Sequence, residues 1–128
     1  MFISHPRGLY TIMVDTSRRI VYEAPVGVWT KEDYREYHNL YINVIVPTLG
    51  EGGWSLCTDL RKYRMSDVDE DVNNHIEWLR EKNVQYSGMI VDSAIIKMQM
   101  DKIMKTRIPQ QTFLDEAEAD MWLKSNGY

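Results

Sequence analysis

The residue types that most often carry chemistry are few in this sequence, which has one cysteine and three histidines. His5, His38 and His75 lack the spacing of metal ligands, and a single cysteine does not complete a zinc set. Cys57 lies between apolar neighbours, whereas a reactive thiolate needs an electropositive, accessible setting. His75 shares a helix face with apolar residues, which is typical of a hydrogen-bonded histidine at the boundary of a core. The sequence therefore predicts no catalytic set, no metal site and no cofactor.

Asp59 and Arg61 form the most informative pair of polar residues. Asp59 lies near the end of the segment 54–60, and Arg61 directly follows it. The nearly continuous apolar composition of this segment predicts a central strand. Ligands of open α/β sheets bind at the carboxyl ends of such strands. One interpretation is an ion pair that fixes the following loop, and another is a ligand-binding role. An enzyme that combines Asp59, Arg61 and His75 is a further alternative, which requires the three side chains to converge on one cleft.

Ser66 stands before a helical pattern and is placed to act as a helix cap. A phosphate at this serine would gain from the free N–H groups and the dipole of the helix, so Ser66 is also a candidate phosphorylation site. The carboxylates that follow would repel the phosphate, and a plain cap explains the residue without a switch. A calcium loop is not expected, because Val72 and Trp78 occupy the positions that need glycine and glutamate. The carboxylates are Asp67, Asp69, Glu70 and Asp71.

The elements that position these residues alternate between two hydrophobic periods. Residues 10–14 and 20–24 alternate apolar and polar side chains, which predicts two strands joined by a polar turn. Thr30 and Asp33 predict the capped start of a helix whose apolar residues recur every three or four positions. Further strands are expected at residues 54–60, 89–91 and 112–114, and further helices are expected to begin at Ser66, Ala94 and Asp115.

The resulting order, β-β-α-β-α-β-α-β-α, predicts an α/β domain built on a mixed sheet of about five strands covered by about four helices. The first hairpin is expected to be antiparallel, and the strands separated by helices are expected to be parallel. No repeat or linker interrupts the pattern, so residues 1–128 are expected to form a single domain.

The predicted helix 94–107 has apolar residues on two sides. Ile95 and Met98 fall nearly opposite the main apolar stripe, beside the alkyl stem of Lys102. One stripe is enough to dock a helix on a sheet, so the second side predicts a dimer seam, a partner surface or a pocket wall. Scattered exposed apolar residues are the alternative explanation. The main stripe consists of Ile96, Met100, Ile103 and Met104.

Composition narrows the classes of partner and compartment. The chain has 128 residues, 44% of them apolar, with 15 Lys and Arg against 19 Asp and Glu, so its net charge is −4. Affinity for nucleic acid comes mainly from basic groups, and we expect no nucleic-acid partner. The single cysteine is consistent with a reducing compartment. Residues 1–8 lack the apolar core of a signal peptide, and the apolar runs are shorter than a bilayer span. A cytoplasmic protein without a membrane association is expected.

Three segments together resemble a known bacterial family. They are the helix entry Gly27-Val28-Trp29-Thr30, the strand Ser55-Leu56-Cys57-Thr58-Asp59-Leu60-Arg61, and the ending from Phe113 to Leu123. With the element order, these segments resemble the SpoIIAA-like (STAS-like) family over about residues 9 to 125. The best-known branch of this family consists of non-enzymatic proteins that antagonise anti-sigma factors. Phosphorylation of a serine in an Asp-Ser-Ser/Thr-Gly context switches their activity, and the resemblance would imply such a function here. Residues 59–67 lack that context, and the closer similarity is to a branch of small proteins of unassigned function.

The function expected from the sequence is a non-catalytic protein-binding or regulatory module that acts through protein contacts and forms a homodimer. The alternative is a carrier of a small apolar molecule or lipid, because several aromatic residues could line an apolar pocket together with the methionines. These aromatic residues are Tyr34, Tyr37, Tyr41, Trp54 and Trp78.

Overall fold

A computed structural model describes residues 1–64, 69–103 and 108–128 of the chain. These residues form a six-stranded sheet and five α-helices. The strands are β1 (Phe2–Ser4), β2 (Tyr10–Asp15), β3 (Ile20–Pro25), β4 (Trp54–Asp59), β5 (Val84–Ile90) and β6 (Gln110–Phe113). The helices are α1 (Lys31–Leu40), α2 (Val46–Leu49), α3 (Asp69–Glu81), α4 (Ala94–Ile103) and α5 (Glu116–Ser125), and a π-helical segment (Tyr41–Ile45) joins α1 to α2.

The strands lie in the sheet in the order in which they occur along the chain, from β1 to β6. β2 and β3 form the predicted antiparallel hairpin, with Tyr10 opposite Pro25 and Asp15 opposite Ile20. β3, β4, β5 and β6 are parallel, as the intervening helices require. The predicted mixed α/β fold is thus confirmed, although the sheet has six strands instead of about five. The additional strand is β1, which pairs antiparallel with β2.

The two faces of the sheet have separate cores, because side chains alternate along each strand. On the first face, Ile12 and Val21 pack beneath the elements between β3 and β4 and beneath α3. On the second face, Ile20, Cys57 and Ile90 pack beneath α5. α5 lies against β4, β5 and β6, and α4 lies against β6. Successive residues of one strand, such as Ile20 and Val21, therefore belong to different cores.

Side-chain caps fix the starts of two helices where the sequence predicts them. The Thr30 hydroxyl accepts a hydrogen bond from the Asp33 amide at 3.2 Å, and the Asp33 carboxylate accepts one from the Thr30 amide at 2.8 Å. Asp115 caps α5 by accepting a hydrogen bond from the Glu118 amide at 2.8 Å. The predicted cap Ser66 lies outside the described residues, as do residues 104–107 at the end of the predicted helix 94–107.

Candidate functional site

The carboxyl ends of β3 to β6 meet at one edge of the sheet because these strands are parallel. We call this region the carboxyl edge and define it as residues 26–30, 59–64, 91–98 and 114–116. Its first two loops are joined through backbone hydrogen bonds, from the Gly27 amide to the Lys62 carbonyl at 2.8 Å and from the Arg64 amide to the Gly27 carbonyl at 3.0 Å. Gly27 has φ of +79°, a conformation that glycine adopts without strain. The loops after β3 and β4 therefore form one continuous part of this edge.

Asp59 and Arg61 form a bidentate ion pair at the centre of the carboxyl edge. Arg61 Nε donates to Asp59 Oδ1 at 2.9 Å, and Arg61 Nη2 donates to Asp59 Oδ2 at 2.8 Å. The same Nη2 contacts Glu116 Oε1 at 2.6 Å, which links the loop after β4 to the first turn of α5. Hydrogen bonding from Arg61 lowers the pKa of Asp59. This geometry favours the interpretation in which the pair fixes the loop.

A shallow cleft lies on the second face of the sheet beside this ion pair. Its volume is about 180 Å³, which is below the 300–1,000 Å³ that is usual for small-molecule sites. Cys57 is one of its lining residues and is buried, and this burial raises the pKa of the thiol to about 12. The thiol is therefore protonated at neutral pH, which suits the core position expected from the sequence. The cleft is lined by Tyr22, Glu23, Ala24, Cys57, Asp59, Ile90 and Glu116.

A group of hydrogen-bonded polar side chains lies on the first face, beneath α1, around the partly buried Glu23. The Glu23 carboxylate accepts hydrogen bonds from the hydroxyls of Tyr37, at 2.6 Å, and Tyr41. Burial raises the pKa of Glu23, while the tyrosine hydrogen bonds lower it and offset part of that effect. Tyr41 also stacks on Trp54, with ring centroids 6.2 Å apart. Glu23 has no recognisable signal in the sequence, because a carboxylate in a strand does not reveal which side chains face it in the fold.

His38 of α1 and His75 of α3 meet beside this group. Their Nδ1 atoms are 2.7 Å apart, and the His75 ring contacts those of Tyr37 and Tyr41. Burial lowers the pKa of His75 to about 3, and burial also lowers the pKa of His38. The Nε2 atom of His75 is buried and has no hydrogen-bond partner among the described residues. His75 is thus a neutral boundary histidine, as its helix face indicates, but its pairing with His38 was not foreseen.

The side chains proposed for the enzyme alternative do not converge. Asp59 and Arg61 lie with Glu116 and α5 beside the cleft on the second face. His75 lies on the first face, against Tyr37. The sheet therefore separates His75 from Asp59 and Arg61, and neither the cleft on the second face nor the cavity beside His75, both lined by described residues, contains all three side chains.

The aromatic residues proposed to line a carrier pocket serve mainly as core. Tyr37, Tyr41 and Trp54 are each at most 3% exposed and pack against one another or against neighbouring rings. Tyr34 and Trp78 are partly buried at the boundary of this core. Their arrangement is a packed wall of rings, and the cavity that touches Tyr34 measures about 100 Å³. A lipid chain does not fit such a space.

Large apolar side chains are exposed along the carboxyl edge. Ile95 is 70% exposed and Met98 is 61% exposed, in the first two turns of α4. Ile96, expected in the stripe that docks α4 on the sheet, is 40% exposed as well. The side chain of Lys102, grouped with Ile95 and Met98 in the sequence analysis, lies outside the described side chains. The other exposed large apolar residues of this edge are Val26, Val28 and Leu114.

Comparison with known proteins identifies the fold. No family model matches the sequence, and no curated protein matches it. The structure is similar to the crystal structure of an uncharacterized protein of the DUF3478 family from Shewanella loihica PV-4, which has a SpoIIAA-like fold. The TM-score is 0.69 with 16% sequence identity, over 89% of this chain and 93% of the other. The chain thus has a SpoIIAA-like fold, as the sequence resemblance indicated. No described helix is both long and apolar enough to cross a bilayer.

Proposed function

We propose that the chain is a non-catalytic protein-binding module that associates with a second copy of itself through the carboxyl edge. The observation that carries this proposal is the exposure of Ile95 and Met98 at 70% and 61%, on the same edge of the sheet as a third exposed apolar side chain, Leu114. When a partner removes clustered apolar groups from water, the free energy of the complex falls by about 25 cal/mol for each Å² of apolar surface buried.

The charges of the carboxyl edge support a second copy as the partner. The exposed basic residues Lys62 and Arg64 follow β4, towards one end of the edge. The exposed acidic residues Asp92 and Asp115 follow β5 and β6, towards the other end. A two-fold axis through the middle of the edge places the basic half of one copy on the acidic half of the other. A self-complementary surface of this kind is what a symmetric dimer requires.

The central ion pair suits this role. Arg61 holds the loop after β4 against α5 through Asp59 and Glu116. A loop that is already fixed loses little conformational entropy when it enters an interface, so association costs less free energy. Asp59 and Arg61 are therefore assigned as residues that anchor the binding surface and not as catalytic residues.

The test is sedimentation equilibrium of the whole chain together with a double variant, Ile95→Asp with Met98→Asp. The wild-type protein is expected to dimerise at micromolar concentration, and the double variant is expected to be monomeric, because each carboxylate would be desolvated in the interface. The matched control is Met121→Asp. Met121 is 69% exposed on α5, away from the carboxyl edge, so this variant is expected to dimerise like the wild type.

Two results would contradict the proposal. A wild-type protein that remains monomeric at several hundred micromolar has no self-association to explain. A dimer that the double variant leaves unchanged, or that Met121→Asp weakens equally, has its interface elsewhere.

A further inference from the structure

The two histidine nitrogens that face each other between α1 and α3 are arranged for a shared cation. His38 Nδ1 and His75 Nδ1 lie 2.7 Å apart. If both nitrogens carried only a lone pair, they would repel each other, so either a proton or a metal ion must lie between them. A single proton makes the pair a hydrogen bond between two neutral rings. A metal ion uses both lone pairs.

The distance between these nitrogens is close to that of two ligands on one ion. Histidine nitrogens bind zinc at about 2.0–2.1 Å, so two of them at angles of 90–110° are about 2.9–3.4 Å apart. A separation of 2.7 Å therefore needs a movement of only a few tenths of an ångström to reach this range. His38 is partly exposed and can supply this movement, while the buried His75 is held by Tyr37 and Tyr41.

A cavity of about 100 Å³ lies directly at the histidine pair and has room for further ligands. Asp71 lines it and precedes His75 by four residues, which places both side chains on the same side of α3. Among the described residues, no three acidic, histidine or cysteine groups already form a metal-binding set, so Asp71 must rotate or act through water. Arg35 lines the cavity too, and its positive charge makes the participation of a carboxylate more important.

We propose that His38 and His75 form the nitrogen half of a site for a divalent transition ion, completed by Asp71 and water. Two imidazoles and a carboxylate suit Zn²⁺, Ni²⁺ or Cu²⁺, whereas Mg²⁺ and Ca²⁺ require a set of oxygen ligands. The sequence analysis predicts no such site, because the histidines lack the spacing of metal ligands along the chain. The two residues are 37 positions apart, and only the packing of α1 on α3 brings them together.

The experiment is calorimetric titration of the metal-free whole chain with Zn²⁺ or Ni²⁺ alone, with Mg²⁺ as the comparison ion. One Zn²⁺ or Ni²⁺ is expected per chain, at micromolar affinity or better, and no Mg²⁺ binding is expected. His38→Phe keeps a ring against Trp78 but removes both nitrogens, and it is expected to weaken binding at least tenfold. His38→Asn can still donate a hydrogen bond to His75 and provides a second variant with the same expected loss if His38→Phe folds poorly.

The matched control is His5→Gln, because the His5 ring packs on Tyr10 and His5 is not among the residues that line this cavity. This variant is expected to bind the ion like the wild type. With Cu²⁺, electron paramagnetic resonance of the wild-type complex is expected to show coupling to two imidazole nitrogens. Binding weaker than millimolar leaves the pair as a hydrogen bond sharing a proton and overturns the proposal. Binding that His38→Phe and His38→Asn do not weaken, or that His5→Gln weakens equally, also overturns it.

Discussion

The enclosed position of His75 predicts that the protein loses stability in mild acid. Burial lowers the pKa of His75 to about 3, from an ordinary value of 6.5 in an unfolded chain. Between these values, the unfolded state binds a proton that the folded state excludes. The stabilising effect is therefore complete above pH 6.5 and is lost as the pH falls below that value. From 6.5 to pH 5, at 1.36 kcal/mol per unit, the loss is about 2 kcal/mol.

The variant His75→Phe isolates this effect, because phenylalanine keeps a ring against Tyr37 and Tyr41 but has no proton to bind. The free energy of unfolding would be measured by urea denaturation at pH 7.5 and pH 5, with a chelator present. The wild type is expected to lose about 2 kcal/mol more than the variant between these two conditions. The absolute stability of the variant is not the readout, since the larger ring alters packing.

Glu23 changes the stability with pH in the opposite direction to His75, and comparing the wild type with His75→Phe cancels this contribution. Burial raises the pKa of Glu23, so the folded state takes up a proton there more readily than the unfolded state does. Its contribution to stability therefore grows as the pH falls, but it is present in both proteins. Parallel pH profiles of the wild type and His75→Phe would refute the assignment of His75 as a buried neutral group.

Three further experiments, two with variants and one by chemical modification, test the local structure. Thr30→Ala removes the side-chain half of the capping box with Asp33 and is expected to lower the free energy of unfolding by about 1 kcal/mol in urea denaturation; an unchanged midpoint would contradict the cap. Cys57 is expected to react with iodoacetamide at pH 8 at least a hundredfold more slowly in the native protein than in urea, because burial raises its pKa to about 12. Equal rates would place the thiol at the surface. Arg61→Met is expected to change the free energy of unfolding by less than about 1 kcal/mol, because the ion pair of Arg61 with Asp59 is partly exposed. A larger loss would show that the pair stabilises the fold.

The parts of the fold that the sequence predicts well are those set by local chemistry. The alternation in β2 and β3 specifies the hairpin, and the caps at Thr30 and Asp115 specify where α1 and α5 begin. β1 was missed because three residues carry no readable period, and its pairing with β2 depends on the assembled sheet.

The candidate site also contains contacts that the sequence predicts and contacts that it does not. The ion pair of Asp59 and Arg61 could be predicted, because the residues are two positions apart at the end of a recognisable strand. The contact of Arg61 with Glu116 could not, since it depends on how α5 lies on the sheet. The pair of His38 and His75 likewise depends on the packing of two helices, for which neither residue carries a local signal.

The most direct test of self-association through the carboxyl edge is a charge exchange between two variants. Lys62→Glu reverses a charge in the basic half of the edge, so that two acidic positions, 62 and 92, would meet in a symmetric dimer. Asp92→Lys reverses a charge in the acidic half, so that two basic positions would meet. In a two-fold dimer, each variant alone meets like charges, while a mixed dimer restores opposite charges at both contacts.

The measurement is native mass spectrometry of the two variants, one of them labelled with ¹⁵N, separately and mixed in equal amounts at low salt. Each variant alone is expected to be mainly monomeric, and the mixture is expected to form predominantly the mixed dimer. A mixture that contains the two homodimers and the mixed dimer in the statistical ratio of about 1:2:1, or no dimer at all, would contradict the proposed interface.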